Sequence, residues 1–236
     1  MTLGRFSIHC DGVQLALSAK TPRKPLELLA LLIAAGKNGL SREKLADRLW
    51  PAADGDLAAQ SLATTLHRLR GLLKTSDAVL IAGDQLLLNQ DLVWIDSWHF
   101  HWLALQIETT MDRAQRLQLI EKALALYAGP LVTGNDHLSM IVGTTQRLHR
   151  QWLQVLAAAL PYFVDNLSPP AAKDALITAL MDKETADALV APFTSSRKKD
   201  EQVSAIVRKS RKIASELMLA EPGGRTPKKT KLPSVH

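Results

Sequence analysis

The sequence predicts an α+β N-terminal region followed by an all-α region. Near the N-terminus, apolar residues alternate around short turn signals, which is typical of strands. Through most of the remaining chain, apolar residues recur at helical spacing. The composition supports a globular protein, because 47% of the 236 residues are hydrophobic, enough to build a buried core in one or two domains.

The first 20 residues predict a β-hairpin. Asp11-Gly12 stands at its centre, and Asp-Gly is favoured in the two-residue turns that join antiparallel strands. The alternating apolar residues on its two sides are Phe6, Ile8, Cys10, Val13, Leu15 and Leu17.

Three helices are predicted between Pro25 and Leu73. The first carries a leucine stripe that Gly36 closes, and the second begins at the N-cap residue Ser41 and stops before Pro51. Asp56 is the expected cap of the third helix. The expected buried seam of the third helix is Ala58, Leu62, Leu66, Leu69 and Leu73.

A second hairpin is predicted after these helices, because Val79 and Ile81 precede a Gly83-Asp84 turn and three leucines follow it. Three short helices that end in a polar, basic one are typical of a helix-turn-helix, and a hairpin that follows them is a wing. We therefore expect residues 1–95 to form a winged helix-turn-helix.

Residues 96–192 predict helices only, separated at Gly129-Pro130, Pro161 and Pro169-Pro170. Helix pairs at roughly repeating distance favour a helical-repeat domain. Residues 193–236 are basic and end in a Pro-, Gly- and Lys-rich stretch, so we expect a largely disordered tail with an amphipathic helix at 197–218.

The net charge of +6 is unevenly distributed. Residues 1–95 hold 11 Lys and Arg against 9 Asp and Glu, and residues 96–192 hold 7 against 10. The tail holds 11 against 4, so the positive excess lies there. A DNA-binding face in residues 1–95 would therefore depend on a few placed cations. The tail would either add sequence-independent DNA affinity or serve solubility.

Several other protein classes are disfavoured. The N-terminus has no apolar signal segment, the apolar run 153–160 is too short for a bilayer, and Cys10 is the single cysteine. We expect a cytoplasmic protein without membrane contact. His99 and His101 do not share a helix face, so we expect the aromatic stretch 98–102 to serve packing. No metal, cofactor or catalytic motif is present, which predicts that the chain is not an enzyme.

Specific segments resemble a known family of regulators. The segments KPLELLALLIAAG, LSREKLADRLWP and SLATTLHRLRGLL resemble the OmpR/PhoB-type winged helix, in the form found in bacterial SARP-like regulators. The segments VWIDSWHFHWL and IEKALALYAGPLV resemble the start of the bacterial transcriptional activator domain, a TPR-like helical module. The resemblance covers roughly residues 3–165.

The resemblance implies a mechanism and a set of contact residues. The third helix would enter the major groove of double-stranded promoter DNA, with Arg68 and Arg70 as anchors. The DNA-facing positions are Gln60, Thr64, Thr65, Arg68 and Arg70, and helical spacing adds His67 to the same face. The loop residues Ala52, Asp54 and Gly55 would contact RNA polymerase or simply connect two helices. The helical domain would mediate dimerisation or partner contact.

Three functions remain open from the sequence. The first is a transcriptional regulator that binds promoter DNA through the winged helix. The second is an adaptor or scaffold whose degenerate winged helix and TPR-like domain bind protein partners, which the acidic wing tip at Asp84 favours because it would repel the minor groove. The third is a small-ligand sensor, which only the predicted concave helical module favours.

Overall fold

The computed structural model of the chain describes residues 1–18, 20–133, 138–165 and 170–190, together with residues 205, 208–210 and 212–214. The structure is mostly helical with a small β region in its N-terminal part. Its helices are α1 (Arg23–Ala35), α2 (Arg42–Leu49), α3 (Gly55–Leu72), α4 (Asp96–Thr109), α5 (Arg113–Leu126), α6 (Ser139–Val164), α7 (Pro170–Met181) and α8 (Lys183–Val190). Its strands are β1 (His9–Cys10), β2 (Val13–Gln14), β3 (Leu40–Ser41), β4 (Val79–Ala82) and β5 (Gln85–Leu88).

The chain divides into two compact units. The first unit comprises Met1–His99 and Leu131–Arg147, and the second comprises Phe100–Pro130 and Leu148–His236. The division falls inside α4 and inside α6, so each of these helices contributes residues to both units. The domain bounds at residues 95 and 192 stay a prediction from the sequence.

The N-terminal hairpin is confirmed. β1 pairs antiparallel with β2 in the register His9 to Gln14. The turn residues Asp11 and Gly12 both have positive φ, 51° and 78°. Two consecutive left-handed residues give the turn whose twist matches that of the strands.

Helix α1 is the centre of the first unit. The sequence predicts one apolar stripe, but every residue from Leu28 to Ala34 is buried. Helices α2 and α3 and strand β5 pack on it. A helix that is apolar around its whole circumference is one that must be covered on all sides. The buried cluster around α1 also contains Leu45, Leu62, Leu69, Val79, Leu86 and Leu88.

The buried C-terminal end of α1 receives hydrogen bonds from distant parts of the chain. Trp98 Nε1 donates to the Ile33 carbonyl at 2.8 Å, and Thr144 Oγ1 donates to the Ala34 carbonyl at 3.4 Å. The last carbonyls of a helix have no partner within it. The Ile33 carbonyl also accepts the Gly36 N–H, and the two side chains supply the further hydrogen bonds at this buried end.

The helix starts agree with the sequence in one case and not in the other. Ser41 caps α2 as predicted, because its hydroxyl accepts the Lys44 N–H at 3.4 Å. Asp56 does not cap α3, so that prediction is wrong. Helix α3 begins at Gly55, its N-cap is Asp54, and the Asp54 side chain makes no capping hydrogen bond.

A three-stranded antiparallel sheet has the order β3-β5-β4. The predicted second hairpin is confirmed as β4 and β5, in the register Val79 to Leu88 and Ala82 to Gln85. Gly39, just before β3, has a φ of 67°, and a Cβ there would lie 2.1 Å from the Leu86 carbonyl oxygen. Only glycine permits this approach of the chain to β5.

The carboxylate of Asp96 is a buried hub in the first unit. It is 0% exposed. It accepts the backbone N–H of Thr2 at 2.6 Å and of Leu3 at 2.9 Å, the Thr2 hydroxyl at 2.7 Å and the Ser97 N–H at 3.0 Å. Several donors compensate the desolvation of a buried carboxylate. Asp96 thus fixes the first residues of the chain to the start of α4.

Aromatic side chains pack in the second unit. Phe100 is fully buried, and its ring centroid lies 4.9 Å from that of Tyr127. Tyr127 stacks on Trp152 with ring centroids 5.3 Å apart.

The predicted break at Pro161 is wrong, because α6 continues to Val164 with Pro161 in its last turn.

Two predictions concern the C-terminal part of the chain, the amphipathic helix and the tail. Most of the predicted helix 197–218, and most of the predicted tail 193–236, lies outside the described residues. Among the described residues, no helix is long and apolar enough to span a membrane.

Replacement of Asp96 tests the buried hub. We expect Asp96→Ala to lower the free energy of unfolding by about 3 kcal/mol or more, because it leaves several buried donors without an acceptor. Denaturant-induced unfolding measures the change. The control Asp91→Ala removes an exposed carboxylate and should cost less than about 0.5 kcal/mol. Equal effects of the two variants would contradict the role of Asp96.

Candidate nucleic-acid interface

Helix α3 separates a buried face from a polar one. The buried face contains four residues of the predicted seam, Ala58, Leu62, Leu66 and Leu69, which pack in the cluster around α1. The fifth, Leu73, follows the end of α3 and is only half-buried. On the opposite side lies a polar ridge of four exposed residues that recur at helical spacing. The polar ridge is Gln60, Thr64, His67 and Arg68.

The six residues predicted to contact DNA do not share one environment. Four of them form the polar ridge. Thr65 is only 5% exposed and lies on the buried side of α3. Arg70 is half-buried. The sequence motif places all six on one helix, but the helix rotation separates them.

Arg70 connects α3 to the hairpin. Its Nη2 donates to the Val79 carbonyl at 2.7 Å. Its Nε is buried and has no hydrogen-bond partner among the described residues. Arg68, by contrast, is exposed and makes no hydrogen bond or ion pair within the described part of the chain. The two arginines therefore have different roles, one structural and one available for binding.

A shallow polar groove runs beside the polar ridge on its α1 side, and we call it the α1 groove. It has a volume of about 320 Å³. It is lined by Lys24, Trp50, Gln60, Ser61, Thr64, Thr65 and Arg68. The sequence motif did not identify Lys24, Trp50 or Ser61, because they come next to the predicted residues only through the packing of α1 and α2 against α3.

Lys24 is held in a fixed position at this groove. Its Nζ donates to Glu27 at 2.8 Å and to the Leu49 carbonyl at 2.7 Å. It also lies 5.6 Å from the centre of the Trp50 ring. Arg23 Nε forms an ion pair with the same carboxylate, 2.8 Å from Glu27 Oε1. This network holds the Lys24 ammonium group in one orientation. Contact with a ligand at the groove would therefore cost little further side-chain entropy.

A second and larger groove lies on the other flank of α3, between α2 and the β4–β5 hairpin. We call it the hairpin groove. It has a volume of about 660 Å³. Most of its lining is apolar, with Ala46, Ala59, Leu62, Ala63, Leu66, Ile81 and Leu86. The charged or polar residues at it are Arg42, Glu43, Asp47, His67, Arg70 and Asp84.

The hairpin turn is short and its acidic residue is paired. Gly83 and Asp84 form the two-residue turn between β4 and β5. The Asp84 carboxylate lies 3.5 Å from Arg42 Nε, and the Asp84 carbonyl accepts the Arg42 N–H at 2.9 Å. The acidic tip predicted from the sequence is therefore partly neutralised by α2.

The loop between α2 and α3 is exposed. Ala52, Asp54 and Gly55, the three residues predicted to contact a partner, are all exposed. The Ala53 N–H donates to the Trp50 carbonyl at 3.0 Å, which fixes the turn after α2. These residues form an accessible surface next to the start of α3.

Among the described residues, no group of three or more His, Cys, Asp and Glu side chains is arranged to hold a metal ion.

Comparisons with known proteins give a similarity to solved structures at low sequence identity. No family model matches this chain, and no curated protein matches it. A solved structure of Mycobacterium tuberculosis EmbR in complex with low affinity phosphopeptide matches 94% of this chain and 72% of that chain. The sequence identity is 14% and the TM-score is 0.49. At this level the match assigns neither a family nor a function to the chain.

The different roles of the two arginines give a stability prediction. We expect Arg70→Ala to lower the free energy of unfolding by about 1–2 kcal/mol, because it removes the hydrogen bond from α3 to β4. Arg68→Ala is the matched variant on the same helix and should cost less than about 0.5 kcal/mol. Urea unfolding of both variants measures the difference. A larger loss for Arg68→Ala than for Arg70→Ala would refute this assignment.

Proposed function

We propose that the chain is a bacterial transcriptional regulator whose N-terminal part is a winged helix that binds promoter DNA. The single observation that carries the proposal is the polar ridge of α3, Gln60, Thr64, His67 and Arg68, exposed opposite a buried leucine seam. A helix presented in this way, after two other helices and before a hairpin, suits insertion into the major groove.

The side chains of the polar ridge have the chemistry for base and phosphate contacts. Arg68 has no partner among the described residues, so its guanidinium is available for bidentate contact with guanine or with phosphate. Gln60 can pair with adenine through its side-chain amide. Thr64 donates its hydroxyl to the Gln60 carbonyl at 3.1 Å, and its oxygen remains free to accept a hydrogen bond.

The α1 groove supports contact with the DNA backbone. Lys24 and Arg68 place two cations at one groove, and Ser61 adds a hydroxyl donor. Half or more of the hydrogen bonds in protein–DNA complexes go to phosphates and sugars, and these contacts fix the register of the protein. We therefore assign backbone contact to this flank. Arg70 and Thr65 are assigned structural roles because of their positions.

The hairpin contributes little to the proposed DNA contact. Its turn consists of Gly83 and Asp84, neither of which is basic. The Asp84 carboxylate is paired with Arg42. A short turn without a basic side chain has nothing to insert into a minor groove. The proposed interface is therefore α3 together with the α1 groove.

The other parts of the chain complete the proposed regulator. The exposed loop residues Ala52, Asp54 and Gly55 would contact RNA polymerase, and the TPR-like second unit would mediate dimerisation or bind a partner. The helices of the second unit support this assignment, since α5 packs on α7 and α7 packs on α8. Helical modules of this kind commonly form binding surfaces.

Selection of random DNA duplexes with the purified chain tests the main proposal. We expect a preferred sequence to be enriched, and Arg68→Ala to weaken binding to it by about 1–3 kcal/mol. The matched control Lys37→Ala removes an exposed cation outside both grooves and should leave the affinity nearly unchanged. The proposal fails if no duplex is enriched, or if Arg68→Ala binds the enriched duplex as tightly as the unaltered chain.

Asp54→Ala separates the proposed polymerase contact from DNA binding. The Asp54 side chain makes no capping hydrogen bond, so its loss should leave α3 and the affinity for the selected duplex unchanged. We expect reduced transcription in vitro from a template that carries the selected site. Asp77→Ala serves as the control, because Asp77 is also exposed but lies after α3. Unchanged transcription with Asp54→Ala would remove the loop from the polymerase contact.

A further inference from the structure

The hairpin groove is long and open, not a compact cavity. Its α3 lining extends from Gly55 to Arg70, which is about 22 Å along the helix axis at 1.5 Å per residue. Helix α2 contributes Arg42 to Asp47, and the hairpin contributes Ile81 to Leu86. A groove of this length fits a helical polypeptide segment of about four turns better than a small molecule.

The groove exists because small side chains face a large apolar one. Ile81 lies two residues after Val79 on β4 and is paired with Leu86, so it is on the same inner face of the sheet as these two residues. Val79 and Leu86 are fully buried, whereas Ile81 is 50% exposed. On the α3 side the groove is lined by Ala59 and Ala63, whose methyl groups are too short to cover it. Apolar surface on an inner face is thus left without a partner.

Two exposed carboxylates at the groove have no ion pair. Of the cations that line it, Arg42 is paired with Asp84, and Arg70 keeps its positive charge but is half-buried and donates to the Val79 carbonyl. Glu43 and Asp47 lie one turn apart on α2, are exposed, and form no ion pair within the described residues. An apolar floor with two free carboxylates at its edge is complementary to an apolar segment that carries lysine or arginine.

We propose that the hairpin groove binds an amphipathic helix of a partner protein, with aliphatic side chains on one face and Lys or Arg beside them. The aliphatic side chains would cover Ala59, Ala63 and Ile81, and the cations would pair with Glu43 and Asp47. An amphipathic helix that lays its apolar face into a groove is a recurring mode of peptide recognition. This surface borders the proposed DNA contact at His67, which belongs to the polar ridge and also lines the hairpin groove, whereas Lys24 and Arg68 line the other groove.

A displayed library of random 16-residue peptides, selected on the full chain, tests the proposal. We expect enriched peptides with aliphatic residues at i, i+3, i+4 and i+7 and with at least two Lys or Arg. Synthetic versions of these peptides are then titrated against the chain by fluorescence anisotropy. Because the contact includes ion pairs at the rim, the affinity should fall as the salt concentration rises.

Two variants locate the binding site. Ala63→Trp places a large ring in the groove and should weaken peptide binding by at least about tenfold through steric exclusion. Glu43→Lys with Asp47→Lys reverses the charges of the rim and should weaken it roughly fivefold or more. The matched controls are Ala125→Trp and Glu108→Lys with Glu121→Lys, which change exposed residues of α4 and α5 in the same way. The controls should leave peptide binding unchanged.

The outcomes are distinct from those of the DNA experiment. Enriched peptides that lose affinity only with the groove variants support the proposal. No enrichment, enriched peptides without basic residues, or equal binding to Ala63→Trp and Ala125→Trp would overturn it. Arg68→Ala should not change peptide binding, since Arg68 does not line this groove. A failure of DNA binding therefore leaves the peptide result intact, and the reverse also holds.

Discussion

The first unit depends on the burial of α1 on all sides. A helix with seven consecutive buried residues, Leu28–Ala34, needs covering elements around its circumference and hydrogen-bond partners at its buried end. The cover comes from α2, α3 and β5, and the partners are Trp98 and Thr144. This requirement explains why residues from the start of α4 and α6 belong to the same unit as the N-terminal helices. The buried carboxylate of Asp96 fixes the first residues of the chain there as well.

The position of α3 against α1 determines what each of its flanks can bind. One face is occupied by the core, so the opposite face must carry polar residues, and the two flanks take their chemistry from their neighbours. Lys24 and Trp50 make the α1 flank cationic and polar. Glu43 and Asp47 make the hairpin flank acidic beside an apolar floor. Opposite electrostatics on two sides of one helix favour different partners for each side.

Local signals in the sequence predict the hairpins, the Ser41 cap and the polar ridge, because turn chemistry, capping and helical period act within a few residues. They do not predict contacts between distant elements. The burial of Thr65, the hydrogen bond from Arg70 to Val79 and the position of Lys24 beside Trp50 all depend on how helices and sheet pack. For that reason the sequence motif places Thr65 and Arg70 with the residues predicted to contact DNA, whereas the fold separates them from Arg68.

The proposed DNA contact includes few cations, and this bears on how the protein would act. Affinity for DNA from phosphate neutralisation grows with the number of counterions released. The α1 groove offers Lys24 and Arg68, and Lys24 already shares Glu27 with Arg23. An interface of this kind gives modest affinity unless a second contact raises the local concentration of the protein at its site. A partner in the hairpin groove, or a second copy of the chain, would supply such a contact without a more basic recognition helix.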